Sequence, residues 1–158
     1  MNRFLNPKSI AVIGASGDPR KGGYALVSNL KEKIPEGLYP VNPGASEICG
    51  LPAFKSVNDL PEPVDLAVIL IPAPAVPEAM EACGKKGISR IMIQSAGFAE
   101  TGPQGLALQE ACLRVAEKHG MRVWGPNCMG VVNGSTGVVA SFMRPDIWRG
   151  HLKPGNVS

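Results

Sequence analysis

The feature that most constrains the fold is a nearly unbroken apolar run in the middle of the chain, at residues 65–71. Its sequence is DLAVILI, and Pro72 follows it directly. A strand with one solvent-exposed face alternates apolar and polar residues, whereas a strand of a parallel sheet that is covered on both faces is apolar almost throughout. The run therefore predicts a central parallel strand with helices on both sides of its sheet.

Four other short runs have a similar apolar character, and each ends in a turn that contains glycine, proline, serine or asparagine. They span residues 9–13, 38–41, 90–94 and 121–124. Apolar residues at helical spacing predict three helices between the strands, at residues 22–33, 76–86 and 104–119. The alternation predicts an α/β fold with a Rossmann-like, doubly wound parallel sheet of about five strands. We expect the strand order 3-2-1-4-5.

Length and composition indicate the domain organisation. With 158 residues, of which 44% are hydrophobic and 18% charged, the chain can bury one sizeable core but not two. We predict a ligand-binding domain at residues 1–132 and an irregular tail at residues 133–158. The closing sequence KPGNVS is typical of the start of another strand, so we expect a piece of a longer protein in which a further domain follows.

Charge, aromatic content and cysteine spacing disfavour several functions. The net charge is +3, the basic residues are scattered, and aromatic residues make up 5% of the chain, which disfavours nucleic acid and suits a small polyanion. The four cysteines are far apart and no histidine stands at ligand spacing, so we expect no metal site. The sequence has neither a signal-peptide layout nor an apolar stretch of membrane length, which predicts a cytoplasmic protein without a membrane partner.

In a doubly wound sheet the ligand binds beyond the carboxyl ends of the strands, so the turns there form the candidate site. The turn after the first strand is rich in glycine, and its backbone amides and the following helix N-terminus suit a pyrophosphate. Its candidate binding residues are Gly14, Ser16, Gly17, Lys21 and Gly22. The spacing differs from G-x-G-x-x-G, and a tight turn without a ligand is the alternative.

The later turns supply further candidates. Asn42 and Pro43 follow the second strand, where NAD enzymes normally carry an acid, and the lack of one argues against NAD. Ile71 and Pro72 form an extended segment that suits an apolar contact with a ring or a pantetheine arm, or simply begins a helix. The last two turns add Gln94, Ser95, Ala96 and Asn127. No triad, carboxylate pair or activated cysteine can be assembled, so we predict no catalytic residue.

Five motifs in order carry a resemblance to a known family. They are FLNPKSIAVIGAS from Phe4, YPVNP from Tyr39, GLPAF from Gly50, GFAE from Gly97 and GPNCMG from Gly125. In this combination, residues 4–158 resemble the CoA-binding N-terminal domain of NDP-forming acyl-CoA synthetases and the CoA-binding alpha subunit of succinyl-CoA synthetase. The resemblance implies a parent enzyme that interconverts acyl-CoA, nucleoside diphosphate and phosphate with the free acid, CoA and nucleoside triphosphate.

The resemblance also implies how CoA lies across the strand tips. It assigns the phosphates to Ser16 and Gly17, the nucleotide to Asn42, Pro43, Ile71 and Pro72, the pantetheine to Gln94, Ser95 and Ala96, and the thiol end to Asn127. In the family a basic residue often follows the Val-Asn-Pro turn and meets a CoA phosphate. This sequence has Gly44 and Ala45 there, so we predict that Lys21 takes that role.

The family's chemistry depends on a phosphorylated histidine in a following domain, so the resemblance implies that this chain binds CoA without catalysing the reaction alone. The expected partners are CoA or acyl-CoA and the other domains or a subunit of the parent synthetase. Two alternatives stay open on the sequence. One is a regulatory CoA-sensing module, for example of a protein acetyltransferase, and the other is an NAD(P)-binding Rossmann domain of an oxidoreductase.

Overall fold

The computed structural model of the protein describes residues 2–61 and 63–148. The strands are β1 Ile10–Ile13, β2 Leu38–Val41, β3 Glu47–Ile48, β4 Leu51–Pro52, β5 Leu66–Ile69, β6 Arg90–Ile93, β7 Arg122–Trp124, β8 Val131–Asn133 and β9 Val138–Ala140. The α-helices are α1 Asn2–Leu5, α2 Gly22–Leu30, α3 Val76–Lys85, α4 Pro103–Lys118 and α5 Pro145–Trp148. Short 3-10 helices lie at Val57–Asp59, Ala73–Ala75 and Ala99–Thr101.

The predicted class is confirmed, because β1, β2, β5, β6 and β7 form one parallel five-stranded sheet with helices on its faces. The central apolar run becomes β5, and all four of its residues are completely buried. The three predicted helices correspond to α2, α3 and α4, and no end is shifted by more than three residues. Periodicity in the sequence therefore located the main elements.

The predicted strand order 3-2-1-4-5 is wrong, because the observed order is β2-β1-β5-β6-β7, which is 2-1-3-4-5 for the five predicted strands. The third strand, β5, pairs with β1 from Ile10↔Leu66 to Ile13↔Ile69. The outer edge of β2 is instead occupied by Phe54, which forms a parallel bridge with Val41. The segment from β2 to β5 contains only β3, β4 and a 3-10 turn in its described part, and it leads the chain back across the sheet.

Two apolar layers cover the sheet. On one face Ile13, Ile69 and Ile93 pack against α3 and α4, where Met80 and Cys112 are buried. On the other face the alternate residues of the strands pack against the buried side of α2. Burying an aliphatic side chain of this size contributes roughly 1.5–3 kcal/mol, so both layers stabilise the sheet that carries the strand-end turns.

A two-stranded hairpin completes the second layer. Strands β8 and β9 pair antiparallel, and Val138, Val139 and Ala140 are buried. Within the predicted irregular tail, residues 133–158, Val138–Ala140 instead form β9, whose apolar residues pack with α2. Asn29 on α2 fixes the next turn, since its Nδ2 donates to the carbonyl oxygens of Ser141 and Met143, each at 2.8 Å. Residues 149–158 of the predicted tail lie outside the described residues.

Candidate functional site

The strand order reverses at β1, because β2 lies on one side of β1 and β5, the next strand of the same sheet along the chain, lies on the other side. A doubly wound sheet has its ligand crevice at such a reversal, beyond the carboxyl ends of the strands. A cleft of about 560 Å³ lies at this place, between the Val57–Asp59 turn and α3. Five of the predicted binding residues line it, namely Gly14, Asn42, Pro43, Ile71 and Pro72.

The rest of the cleft wall was not predicted from the sequence. Its apolar part consists of Ile13, Val41, Val57, Ala75, Ala79 and Ala82, and its polar part of Lys55, Ser56, Asn58 and Glu78. The segment from residue 55 reaches the cleft because Phe54 bridges to the edge of β2. The one local signal for this segment is the pair Ser56 and Asp59, whose spacing is that of a helix capping box.

Gly14 requires a backbone that other residues rarely adopt, because its φ is +96°. A Cβ atom there would also overlap the carbonyl oxygen of Leu70 at the end of β5. The α2 helix packs equally closely on this turn, since a Cβ atom at Gly23 would overlap the carbonyl oxygen of Gly14. Together these glycines let the β1 turn, the β5 end and the start of α2 approach one another.

The other residues predicted in the β1 turn, Ser16, Gly17, Lys21 and Gly22, do not line the cleft. The Ser16 hydroxyl accepts a hydrogen bond from the backbone N–H of Asp18 at 3.1 Å. A Cβ atom at Gly17 would meet nothing within 4 Å, and the φ of Gly17 is ordinary, so the fold itself does not require glycine there. Lys21 is the exposed residue before α2, and Gly22 is the first residue of that helix.

The charges in this turn are unevenly partnered. Arg20 donates to the Asp18 carboxylate through Nε at 3.0 Å and through a terminal nitrogen at 2.9 Å. This pairing lowers the pKa of Asp18, chiefly through the side-chain hydrogen bond. No ion pair of Lys21 occurs within residues 2–61 and 63–148. Lys21 and the start of α2 therefore present positive charge together, because a helix N-terminus carries a partial positive charge.

Asn42 has its polar atoms occupied within the protein. Its Nδ2 donates to the carbonyl oxygen of Ala15 at 2.7 Å, and its Oδ1 accepts from the backbone N–H of Gly44 at 2.8 Å. The side chain thereby ties the turn after β2 to the turn after β1. These two hydrogen bonds fix the orientation of the Asn42 side chain in the cleft wall.

The four remaining predicted residues, in the turns after β6 and β7, do not line the cleft. Gln94 is 3% exposed, and its Nε2 donates to the carbonyl oxygen of Ala140 at 2.7 Å. The buried Ser95 hydroxyl accepts from the backbone N–H of Ile71 at 3.1 Å, which joins the ends of β5 and β6. The backbone N–H of Asn127 donates to the Ser95 carbonyl, while Ala96 is exposed. Binding by these four residues stays a prediction.

The thiols are poor nucleophiles. Burial raises the pKa of Cys83 to about 12 and that of Cys112 to about 11. Burial also raises the pKa of Cys128, whose Sγ donates to the carbonyl oxygen of Ile93 at 3.3 Å. A thiol, and not the reactive thiolate, therefore dominates near neutral pH at all three positions.

Two further properties concern the described residues only. In the described part of the chain, no three His, Cys, Asp or Glu side chains are grouped so that they could hold a metal ion. Among the helices of that same part, none has both the length and the apolar character needed to cross a membrane.

Comparison with known proteins decides the family. The family described as "CoA binding domain" matches residues 8–134, which is most of the chain. The chain belongs to this CoA binding domain family. The glycine-rich turn and the cleft both fall within the matched residues.

Two relatives of this CoA binding domain are a ligase subunit and a ligase. The chain is 43% identical over 158 residues to the alpha subunit of acetate–CoA ligase [ADP-forming] II of Pyrococcus furiosus, covering all of this chain and 33% of that subunit. It is 45% identical over 148 residues to acetate–CoA ligase [ADP-forming] II of Archaeoglobus fulgidus, covering 92% of this chain and 22% of that ligase.

A solved structure agrees in fold. Dinucleotide-forming acetyl-coenzyme A synthetase 1 of Candidatus Korarchaeum cryptofilum, in complex with phosphate and ADP, has a TM-score of 0.81 and 39% identity, over 89% of this chain and 30% of that one. The chain thus spans a third or less of the length of these relatives.

Proposed function

We propose that this chain binds coenzyme A as the CoA-binding part of an ADP-forming acyl-CoA synthetase. The observation that carries the proposal is a glycine-rich turn and an apolar cleft that adjoin at the strand-order reversal, in a member of the CoA binding domain family. CoA joins a polyanionic nucleotide to a long, largely uncharged arm. Its ligand site therefore needs cationic groups and backbone amides beside an apolar wall.

In this proposal the pyrophosphate binds at the turn after β1. The backbone amides at the start of α2 and the exposed Lys21 favour negative charge there. Gly17 supports this binding mode, because the fold does not require a glycine at that point and the missing side chain leaves the backbone open to a phosphate. Ser16 is held by the Asp18 amide at the edge of the same turn.

The nucleoside occupies the cleft between the Val57–Asp59 turn and α3. The apolar wall suits the face of an adenine ring, and Asn42 and Pro43 close the cleft next to β2. The pantetheine arm then passes Ile71 and Pro72 towards the turns after β6 and β7. Ala96 and Asn127 are exposed there, while Gln94 and Ser95 contribute mainly by fixing the backbone.

We assign CoA binding to this chain. The making and breaking of covalent bonds is assigned to the parts of the relatives that this chain does not cover. The side chains that line the cleft include one lysine and one glutamate but no histidine or cysteine within the described residues. In the parent reaction, the thiol of the CoA held here would lose its proton and attack the carbonyl carbon of an activated acyl group, which forms the thioester and releases the leaving group of that acyl group. Acetate is the acid in the names of two relatives.

Isothermal titration calorimetry of the 158-residue chain with CoA tests the proposal. We expect a saturable signal with one site, together with a higher melting temperature in the presence of CoA, because a ligand that binds only the folded state stabilises it. The absence of both heat and thermal stabilisation at millimolar CoA would exclude the proposed function.

One observation keeps an NAD(P)-binding domain as a second candidate. No acid follows β2, where NAD enzymes normally carry one, yet Glu78 on α3 lines the same cleft. A carboxylate in this crevice is the group that binds ribose hydroxyls in NAD enzymes. Competition decides between the two ligands. We expect CoA to displace NADH, and preferential binding of NADH would favour the second candidate.

A further inference from the structure

Lys55 lies on the wall of the cleft, although it is distant in sequence from the turn after β2. The backbone brings it there. The N–H of Phe54 donates to the carbonyl oxygen of Pro40 at 2.9 Å, and the N–H of Asn42 donates to the carbonyl oxygen of Phe54 at 2.9 Å. After the β3–β4 excursion the chain thus returns to the tip of β2, and Lys55 is the next residue.

The chain is fixed equally well on the other side of Lys55. Ser56 donates through its backbone N–H at 3.0 Å and through its hydroxyl at 2.9 Å to the same carboxylate oxygen of Asp59. Nζ of Lys86 donates to the carbonyl oxygen of Asn58 at 3.2 Å and so ties this turn to the end of α3. The backbone at Lys55 is therefore held in place before any ligand arrives.

The ammonium group of Lys55 has no ion pair within the described residues 2–61 and 63–148. Among the described residues that line the cleft, the other charged side chain is that of Glu78 on α3. A ligand phosphate in this cleft is attracted by Lys55 and repelled by Glu78. The two charges together favour a phosphate on the β2 side of the cleft.

The tip of β2 is the place where sheets of this type distinguish ribose groups. An acid there binds free ribose hydroxyls, and a basic residue accommodates a ribose phosphate. CoA differs from its precursor dephospho-CoA only by a phosphate on the 3′-hydroxyl of the ribose. The pyrophosphate is common to both molecules, and its expected site, the turn after β1, has its own cation in Lys21.

We propose that Lys55 is the residue that selects the 3′-phosphorylated ribose of CoA. The inference rests on the proposed CoA binding and assigns the ribose phosphate to Lys55, while Lys21 keeps the pyrophosphate. It differs from the sequence prediction, in which Lys21 replaced the basic residue missing at Gly44 and Ala45. The Phe54 bridge supplies the reason, because it places a lysine from another segment beside the same turn.

The test measures the ratio of the dissociation constants for dephospho-CoA and CoA by calorimetry, in four forms of the full chain. These are the wild type, Lys55→Gln, Lys55→Arg and Lys8→Gln. Lys8→Gln removes one positive charge, as Lys55→Gln does, but at the opposite end of the sheet, just before β1. It therefore controls for the change in net charge. We expect the wild type to prefer CoA by about tenfold, as for one hydrogen bond to a charged group.

Lys55→Gln should reduce this preference to about twofold or less without weakening dephospho-CoA binding, whereas Lys55→Arg and Lys8→Gln should keep it. The wild-type preference should also fall as salt is added, because the charges are exposed to solvent. An unchanged preference in Lys55→Gln, or an equal loss of affinity for both ligands, overturns the role of Lys55. A wild type that binds neither ligand refutes the proposed function instead, so the two failures are distinguishable.

Discussion

Replacing Gln94 by methionine separates a ligand-binding residue from a structural one. The family resemblance implies a pantetheine contact at Gln94, whereas the side chain is buried and its Nε2 donates to the carbonyl oxygen of Ala140 on β9. Methionine nearly conserves the volume of the side chain and removes both polar atoms, so the packing cost stays small. The substitution therefore tests mainly the amide group.

The expected loss of stability follows from the two amide atoms. Losing the 2.7 Å hydrogen bond costs about 0.5–1.5 kcal/mol, and depriving a buried carbonyl of its donor raises the cost towards about 3 kcal/mol. The Oε1 atom of Gln94 is itself buried without a partner, so its removal offsets part of this cost. We expect a net loss of about 1–2 kcal/mol, which lowers the melting temperature of a domain of this size by roughly 2–8 °C.

Urea unfolding followed by circular dichroism measures the stability, and calorimetry measures CoA affinity at a temperature at which the variant is folded. Gln104→Met is the matched control, because Gln104 is exposed on α4 and glutamine and methionine have similar helix propensity. We expect Gln94→Met to lose stability while CoA affinity changes less than about twofold. A variant of wild-type stability with more than about tenfold weaker CoA binding would refute this reasoning and restore Gln94 as a ligand contact.

Two further predictions concern charged groups. Lys21→Gln should weaken the binding of CoA and of dephospho-CoA by the same factor of roughly three in calorimetry, because both ligands carry the pyrophosphate. A change in the ratio of the two dissociation constants would contradict the role assigned to Lys21. Hydrogen bonds with Lys118 and His119 lower the pKa of Glu81. The Glu81 carboxylate therefore stabilises the α3–α4 contact fully at pH values above the ordinary glutamate pKa. This stabilisation is lost as the pH falls through the lowered pKa. Acid unfolding curves should therefore show wild type more stable than Glu81→Gln near neutral pH and the difference vanishing in acid; a difference that persists in acid would contradict the linkage.

The main elements were predictable because their signals are local. The β5 run is apolar at every position, and each of α2, α3 and α4 has its own helical spacing of apolar residues. The location of the site beyond the strand ends follows from the topology class alone, which is why Gly14, Asn42 and Ile71 were predicted and line one cleft.

The strand order and part of the site depend on contacts between distant residues and could not be predicted in the same way. Nothing near Phe54 in sequence indicates that it pairs with Val41, and this bridge both occupies the β2 edge and brings Lys55 to the cleft. Similarly, whether Gln94 faces a ligand or Ala140 depends on where the β8–β9 hairpin packs. Residue type identified polar groups near the site, but their partners are set by the tertiary fold.

Titration of the 158-residue chain with CoA is the most direct measurement of the central claim. We predict saturable one-site binding that is stronger for CoA than for dephospho-CoA and is accompanied by a higher melting temperature. Neither heat nor thermal stabilisation at millimolar CoA, in a sample shown by circular dichroism to be folded, would contradict the claim that this chain binds coenzyme A.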